Sequence, residues 1–367
     1  MTEPEPELTI TLPAMYFPMP WLVHPDLALL ERQGLAFMER HGLCTTPGRR
    51  ERTAETRSAL FFAGNCPGGD RERLQMAVDW TYLMFLFDDL ACDEESAGDA
   101  LSFLDLAVRI VRTFEQPAAG VLDPANAFTS AVTDLATRLH RLASPAQCQR
   151  LVAAHRTWFL GVAWERAARR EQLVPTLDDY LFTRLMNVAG FATLSWFQIS
   201  AVETIPDGEI TDPAVQAVTE MACMVAALDD DLYSYGKELW FARRRDGGEA
   251  PFPNSVRLYE HHERCTLEKA QRHVAELRDR ILHRFLDVAA AVRTSASPVL
   301  NTYVDNLTHL IRSNYEWGVR AGRYTNPDGR HPRAIALIPT LTGTPGAVGA
   351  PPGLPSVAGW WHPFPLL

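Results

Sequence analysis

Apolar residues recur every three or four positions through most of the chain, which is the spacing of amphipathic helices. In chain order, this spacing predicts helices over 27–41, 71–88, 98–115, 126–142, 144–171, 177–202, 213–243, 255–292 and 297–323. The alternation of apolar and polar residues that is typical of β-strands is nearly absent, and no repeat of 20–50 residues is visible. The pattern therefore predicts an all-α fold.

The two ends of the chain differ in composition from the helical part. Residues 1–25 contain six prolines and predict an extended N-terminal arm. Residues 326–367 are rich in proline and glycine and predict an irregular tail. Although 367 residues would accommodate two domains, one large helical core also fits. We therefore expect a single helical domain over 26–325.

Charge and composition exclude several classes of protein. The net charge of −10 argues against a protein that coats nucleic acid. Six scattered cysteines indicate reduced thiols rather than a disulfide framework or a zinc site. The acidic, proline-rich N-terminus is unlike a signal peptide, and no run of about 18 apolar residues could span a membrane. We expect a cytoplasmic protein that neither coats nucleic acid nor spans a membrane.

One side of the predicted helix 213–243 changes character along its length. Small residues are followed by three residues with oxygen-bearing side chains: Cys223, Ala226, Ala227, Asp230, Ser234 and Glu238. The opposite side is apolar in the first half, so that half is predicted to be buried all round. The small residues indicate a cavity with a polar mouth, although a close crossing of two helices would also explain them.

The three oxygen-bearing residues Asp230, Ser234 and Glu238 are spaced four positions apart. Successive members lie roughly 6 Å apart along a helix axis and about 40° around it, so all three project to one side. Carboxylate and hydroxyl oxygens suit a hard cation such as Mg²⁺, whose shell is often completed by substrate phosphates. A solvent-exposed acidic face would show the same spacing.

A second acidic cluster closes the apolar run 80–87 and contains Asp88, Asp89 and Asp93. Carboxylates at the C-terminus of a helix are electrostatically unfavourable. Their presence there calls for a counter-charge, which a divalent metal would supply, although an ordinary polar loop could have the same composition.

Several motifs together resemble those of class I terpene synthases of the microbial type. Residues 87–94 resemble the aspartate-rich motif D-D-x-x-D/E, with one extra residue before the third acid. Residues 230–238 match the second metal motif, N/D-D-x-x-S-x-x-K-E. Arg184, 46 residues before that motif, stands where the family has its diphosphate-sensing arginine, and Arg323 and Tyr324 match the C-terminal arginine–tyrosine pair.

The resemblance extends over about residues 15–325 and implies a site with three Mg²⁺ ions. Asp88 and either Asp93 or Glu94 would bind metal from one wall, with Asp89 as a further catalytic residue. Asp230, Ser234 and Glu238 would bind metal from the other wall. The diphosphate would be bound by four residues: Arg184, Lys237, Arg323 and Tyr324. The family also has a helix break that corresponds to residues 187–190.

Aromatic rings on the motif helices could stabilise a carbocation in the cavity through cation–π attraction. The candidates are Phe85, Phe191, Trp196 and Trp317, although rings on such helices are as typical of a packed core.

The resemblance implies a terpene cyclase that ionises a linear prenyl diphosphate and cyclises the carbocation to a hydrocarbon or an alcohol. Farnesyl diphosphate is favoured as the substrate, and the small residues of the cavity would also admit geranylgeranyl diphosphate. A chain-elongating prenyl diphosphate synthase and a non-catalytic isoprenoid-binding protein are the alternatives. Related proteins commonly form dimers, so a homodimer is a further expectation.

Overall fold

The computed structural model describes residues 5–89, 100–248, 252–346 and 348–364. Its helices are α1 (Leu27–Arg40), α2 (Pro47–Glu55), α3 (Ser58–Asn65), α4 (Arg71–Phe87), α5 (Ala100–Glu115), α6 (Ala127–Leu142), α7 (Pro145–Arg170), α8 (Leu177–Asn187), α9 (Gly190–Ser200), α10 (Asp207–Ile210), α11 (Pro213–Asp246), α12 (Ser255–Glu263), α13 (Leu267–Arg293), α14 (Pro298–Gly318) and α15 (Pro355–Ala358). Its two strands are β1 (Leu8–Tyr16) and β2 (Ile335–Thr342). The predicted all-α class is confirmed.

Helix starts coincide with capping residues that are visible in the sequence. Asp212 accepts hydrogen bonds from the backbone N–H groups of Ala214 and Val215, so α11 begins at Pro213. Ser144 and Gln147 form a reciprocal capping box at the start of α7. These local signals explain why most predicted helix boundaries lie within a few residues of the observed ones.

Four short helices, α2, α3, α10 and α15, were not predicted, and two predicted helices, 177–202 and 255–292, are divided. The segment 177–202 breaks after Asn187, where Ala189 has a positive φ of 59° and α9 begins at Gly190. A side-chain carbon on Gly190 would lie 2.8 Å from the Cys223 sulfur, so the chain passes very close to α11 at this point. The break expected at residues 187–190 is therefore present.

The ends of the chain pair with each other. Strand β1 runs parallel to β2, with Leu8 opposite Ile335, and contacts α11 and α13. Burial alternates along β1, where Leu8, Ile10 and Leu12 are buried. The segment 326–367 was expected to be irregular and instead contains β2 and α15. Prolines 13 and 339 interrupt the alternation, which is why the strands were missed. The boundaries of the helical domain, after residue 25 and after residue 325, stay a prediction.

Helix α11 lies at the centre of the bundle. It packs against α13 and α14, and it contacts α8, α9 and α12. Its residues Met221, Leu228 and Leu232 are fully buried, as the apolar stripe predicted. Within the described part of the chain, no helix combines the length and the apolar character needed to cross a membrane.

Candidate active site

A cavity of about 320 Å³ lies between α4, α7, α11 and α14 and reaches the break between α8 and α9. Along α11 its wall passes from Cys223 and Ala226 to Asp230, Ser234 and Glu238, so one part is apolar and the other polar. Ala227 was predicted on this wall, but it is fully buried and does not line the cavity. The predicted hollow with a polar region is present.

Asp230 accepts hydrogen bonds from two other predicted site residues. Arg184 Nη2 lies 2.6 Å from one carboxylate oxygen, and the Tyr324 hydroxyl lies 2.9 Å from the other. Arg184 also pairs with Asp231 at 2.9 Å. Helices α8 and α11 and the turn after α14 therefore meet at Asp230.

Glu238 is held by Ser234, whose hydroxyl donates to Glu238 Oε1 at 2.7 Å. The other carboxylate oxygen, Oε2, is inaccessible and has no hydrogen-bond partner within the described part of the chain. Burial, followed by the neighbouring Asp231 charge, raises the pKa of Glu238 to about 8. Lys237 also lines the cavity.

Three consecutive aspartates of α11 have three different environments. Asp229 is buried and paired with Arg278 at 2.9 Å. Asp231 is also buried and accepts hydrogen bonds from the Tyr180 hydroxyl and the backbone N–H of Ser255. Of the three, only Asp230 lines the cavity.

The first acidic cluster meets the C-terminal pair across the cavity. Arg323 Nη2 lies 2.8 Å from Asp88 Oδ2 and 3.4 Å from Asp89 Oδ1. Asp89 does not line the cavity and has a second partner, Arg52, at 3.5 Å. Arg52 comes from α2, which the sequence pattern did not reveal. The predicted ligands Asp93 and Glu94 lie outside the described residues.

Two of the four predicted aromatic residues line the cavity. Phe85 and Trp317 are stacked, with ring centroids 5.3 Å apart and planes 9° apart. The Arg323 guanidinium lies 4.4 Å from the centroid of the Phe85 ring. Among the described residues, Arg323 is therefore a cation–π partner of Phe85.

The cavity assignments of Phe191 and Trp196 were wrong. Trp196 is fully buried, with its ring 6.1 Å from that of Trp80, and Phe191 is half-buried outside the cavity wall. Helix α9 is buried on nearly all sides, so spacing alone could not indicate which of its rings face the cavity. Trp80, Trp158 and Phe61 do line it and were not predicted.

Comparison with known proteins identifies this arrangement. The model of terpene synthase family 2, C-terminal metal binding, matches residues 79–284. Phomopsene synthase from Allokutzneria albata is 45% identical, over 98% of this chain and 99% of its own length. The chain belongs to the terpene synthase family. Spiroviolene synthase from Streptomyces violens is 34% identical to it, over 96% of this chain and 97% of its own length.

Solved structures show the same fold. The SVS_A2 protein from ancestral sequence reconstruction superposes with a TM-score of 0.81 at 35% identity, covering 95% of this chain and 98% of its own. An α-eudesmol synthase is similar in fold, with a TM-score of 0.72 at 18% identity, covering 83% of this chain and 98% of its own. As a member of the terpene synthase family, the chain is an enzyme of the lyase class that acts on a prenyl diphosphate and uses a divalent metal.

The terpene synthase site is richer in basic groups than the motifs indicated. Arg166 and Arg169, near the end of α7, line the cavity together with Arg184. Glu165 links this region to the helix break, because it pairs with Arg169 and accepts a hydrogen bond from Asn187, each at 2.6 Å. The hydrophobic periodicity of α7 did not predict that these arginines line the cavity, because charged residues at the end of a helix are ordinarily solvent-exposed.

Proposed function

We propose that this terpene synthase is a Mg²⁺-dependent diterpene cyclase that ionises geranylgeranyl diphosphate, cyclises the carbocation and releases diphosphate. One observation carries the proposal: carboxylates and arginines from distant parts of the chain form ion pairs at the polar end of an otherwise apolar cavity. Arg184 pairs with Asp230, and Arg323 pairs with Asp88.

The longer substrate is supported by two arguments. Diterpene cyclase DtcycA from a Streptomyces species is 31% identical over 99% of both chains. T-muurolol synthase from Streptomyces clavuligerus, whose name specifies farnesyl diphosphate, is less similar: it is 28% identical over 95% of this chain. The diterpene cyclase is therefore the more similar of these two relatives. In addition, the cavity wall on α11 is formed in part by the small residues Cys223 and Ala226. Although the sequence favoured farnesyl diphosphate, we therefore propose the C20 substrate.

The chemistry of the donors fits magnesium. Asp230, Ser234 and Glu238 offer only hard oxygen donors, and Glu238 Oε2 is a buried acceptor that lacks a donor in the described structure. The described residues contain no ready-made group of three or more His, Cys, Asp or Glu side chains that could hold a metal. We infer that phosphate oxygens of the substrate complete the coordination and that three ions bind, one of the walls being supplied by Asp88.

Bound Mg²⁺ supplies Lewis-acid stabilisation of the negative charge on the departing diphosphate. Arg184, Lys237, Arg323 and Tyr324 donate hydrogen bonds to the same oxygens, and these bonds strengthen as charge accumulates. A diphosphate carries more charge than a carboxylate, so it competes with Asp88 and Asp230 for the two guanidinium groups. This competition frees the carboxylate oxygens for the cations.

The apolar part of the cavity protects the carbocation. The C–O bond to carbon 1 breaks with its electron pair leaving on the diphosphate, and water would trap the resulting cation at once. Phe61, Phe85 and Trp317 present rings rather than basic groups, and each cation–π contact stabilises a cation by about 0.5–2 kcal/mol. The final cation loses a proton to give a hydrocarbon, or it adds water and then loses a proton from the added oxygen to give an alcohol.

The test is to incubate the purified protein separately with C10, C15 and C20 prenyl diphosphates. Each incubation is run with Mg²⁺ or with EDTA, and with or without isopentenyl diphosphate, and products are identified by gas chromatography–mass spectrometry. We expect cyclised C20 products that require Mg²⁺. If the protein converted the C15 substrate and not the C20 substrate, the proposed substrate length would be wrong. If it formed a longer diphosphate when isopentenyl diphosphate was present, the proposed cyclase activity would be wrong.

We further propose a homodimer, as expected from the sequence. Size-exclusion chromatography with light scattering would detect it as a particle of about twice the 41.0 kDa chain mass.

A further inference from the structure

A buried histidine accepts a hydrogen bond from a tryptophan that lines the cavity. The indole Nε1–H of Trp80 on α4 donates to His155 Nε2 on α7 at 2.8 Å. Trp80 lines the cavity, whereas His155 does not line it and is completely buried. Neither the acidic motifs nor the diphosphate-binding residues account for this pair.

The contacts of His155 determine its tautomer. Its Nδ1 lies 2.8 Å from the backbone carbonyl oxygen of Leu151, which can only accept a hydrogen bond. Nδ1 therefore carries the proton, and Nε2 is left with a lone pair that accepts from Trp80. Both ring nitrogens are satisfied only when the imidazole is neutral.

The hydrogen bond between Trp80 and His155 lies within a cluster of aromatic rings. The His155 ring lies 4.9 Å from Phe114 and 6.0 Å from both Trp158 and Phe159, measured between ring centroids. A buried indole N–H without an acceptor would cost about 1–3 kcal/mol. In this aromatic cluster the His155 nitrogen meets that need, so the bond favours one orientation of the Trp80 ring.

We propose that His155 is a positioning residue of the cyclase, which holds the Trp80 indole in one orientation in the cavity wall and thereby controls the distribution of products. This inference rests on the proposed function. Donation from the N–H to a good acceptor also increases the electron density of the indole ring. The ring face that a carbocation meets is therefore both fixed in direction and more attractive to positive charge.

Four variants test this role: His155→Phe and His155→Leu, which lack an acceptor, His155→Gln, which retains one, and Trp80→Phe. The first measurement is the ratio of cyclised products, together with kcat and KM, for the prenyl diphosphate that the wild type converts. We expect His155→Phe to change the product ratio several-fold, and His155→Gln to restore most of the wild-type ratio. Should the Phe variant fail to fold, His155→Leu takes its place.

The double variant His155→Phe/Trp80→Phe shows whether the effect passes through the indole. If His155 acts through Trp80, its substitution changes the products no further once Trp80 is absent. The second measurement is an ¹H–¹⁵N spectrum of protein labelled at tryptophan, in which the Trp80 signal is the one that Trp80→Phe removes. We expect that indole proton to shift upfield in His155→Phe.

Three results would overturn the proposal: an unchanged product ratio in folded His155→Phe, an equally large change in the Trp80→Phe background, or an unmoved indole signal. Each of these leaves the proposed function intact, because the wild type still forms cyclised product. Absence of any cyclised product from the wild type would instead overturn both proposals.

Discussion

Arg323 donates a hydrogen bond of 2.8 Å to Asp88, although 235 positions separate them in the chain. Arg184 has the corresponding relation to Asp230 across 46 positions. Asp88 and Asp230, two of the carboxylates that line the cavity, are therefore each held by an arginine. A diphosphate can take both arginines as partners, so the same contacts that order the free site prepare it to bind substrate.

Asp230→Ala or Glu238→Ala should lower turnover at least about 100-fold, because each removes a hard oxygen donor from the proposed metal site. The helical circular dichroism spectrum should be unchanged, since neither side chain holds the core together. Release of diphosphate in the presence of Mg²⁺ is the measurement. Turnover close to that of the wild type would contradict the assignment of these residues to the metal site.

The neighbouring substitution Asp229→Ala should act on stability instead. It removes one of the two carboxylates that pair with the buried Arg278 guanidinium, the one at 2.9 Å, while Asp279 remains as a partner at 2.8 Å. The expected cost is therefore that of one charge-assisted hydrogen bond, about 1–3 kcal/mol. Urea denaturation of Asp229→Ala and Asp230→Ala in parallel compares the free energies of unfolding of the two variants. Equal free energies of unfolding would show that the two adjacent carboxylates do not differ as the structure indicates.

Arg184→Ala should lower the rate of ionisation by orders of magnitude, because a charge-assisted contact to the leaving group is strongest in the transition state. Single-turnover measurements of diphosphate release report this rate. Arg109→Ala is the matched control, since it removes an exposed arginine that pairs with Asp105 away from the cavity. If both variants had the same rate, Arg184 would have no role in ionisation.

Gly318→Ala should destabilise the protein by about 1–3 kcal/mol, because a side-chain carbon there would overlap the buried ring of Tyr233. That ring packs against Tyr324, with centroids 4.8 Å apart, so diphosphate release should also slow. Gly343→Ala is the control, since its side chain would meet open space. Thermal melting of the two variants should differ, and a melting temperature of Gly318→Ala equal to that of the control would contradict this packing.

His155 should make stability depend on pH. Burial lowers its pKa to about 4, so the folded protein resists protonation there while the unfolded chain takes up a proton below about pH 6.5. The stabilisation by neutral His155 is complete above pH 6.5 and is lost as the pH falls towards 4.

His155→Phe lacks this titration. Its destabilisation relative to the wild type should therefore shrink between pH 7 and pH 4, by up to about 3 kcal/mol. Urea denaturation at both values measures the difference. A destabilisation that stayed constant with pH would mean that His155 titrates alike in the folded and unfolded protein.

Periodicity and capping specified the longer helices and where the chemically active residues lie along them. Helical periodicity and capping are local, so residues within one or two turns, such as Asp212 and Pro213 at the start of α11, already specify where a helix begins. The spacing of Asp230, Ser234 and Glu238 likewise depends only on the pitch of one helix. The family motifs added Arg184 and the Arg323–Tyr324 pair, which the structure brings to the same cavity.

The partners that these residues meet depend on how the helices pack against one another. Asp229 and Asp231 differ from Asp230 because Arg278 and Tyr180 arrive from other helices, 49 and 51 positions away. In the same way, packing places Trp80 in the cavity wall and buries Trp196 outside it. Such contacts join elements that are distant in the chain, and the hydrophobic pattern of one helix specifies that a face is buried without specifying what covers it.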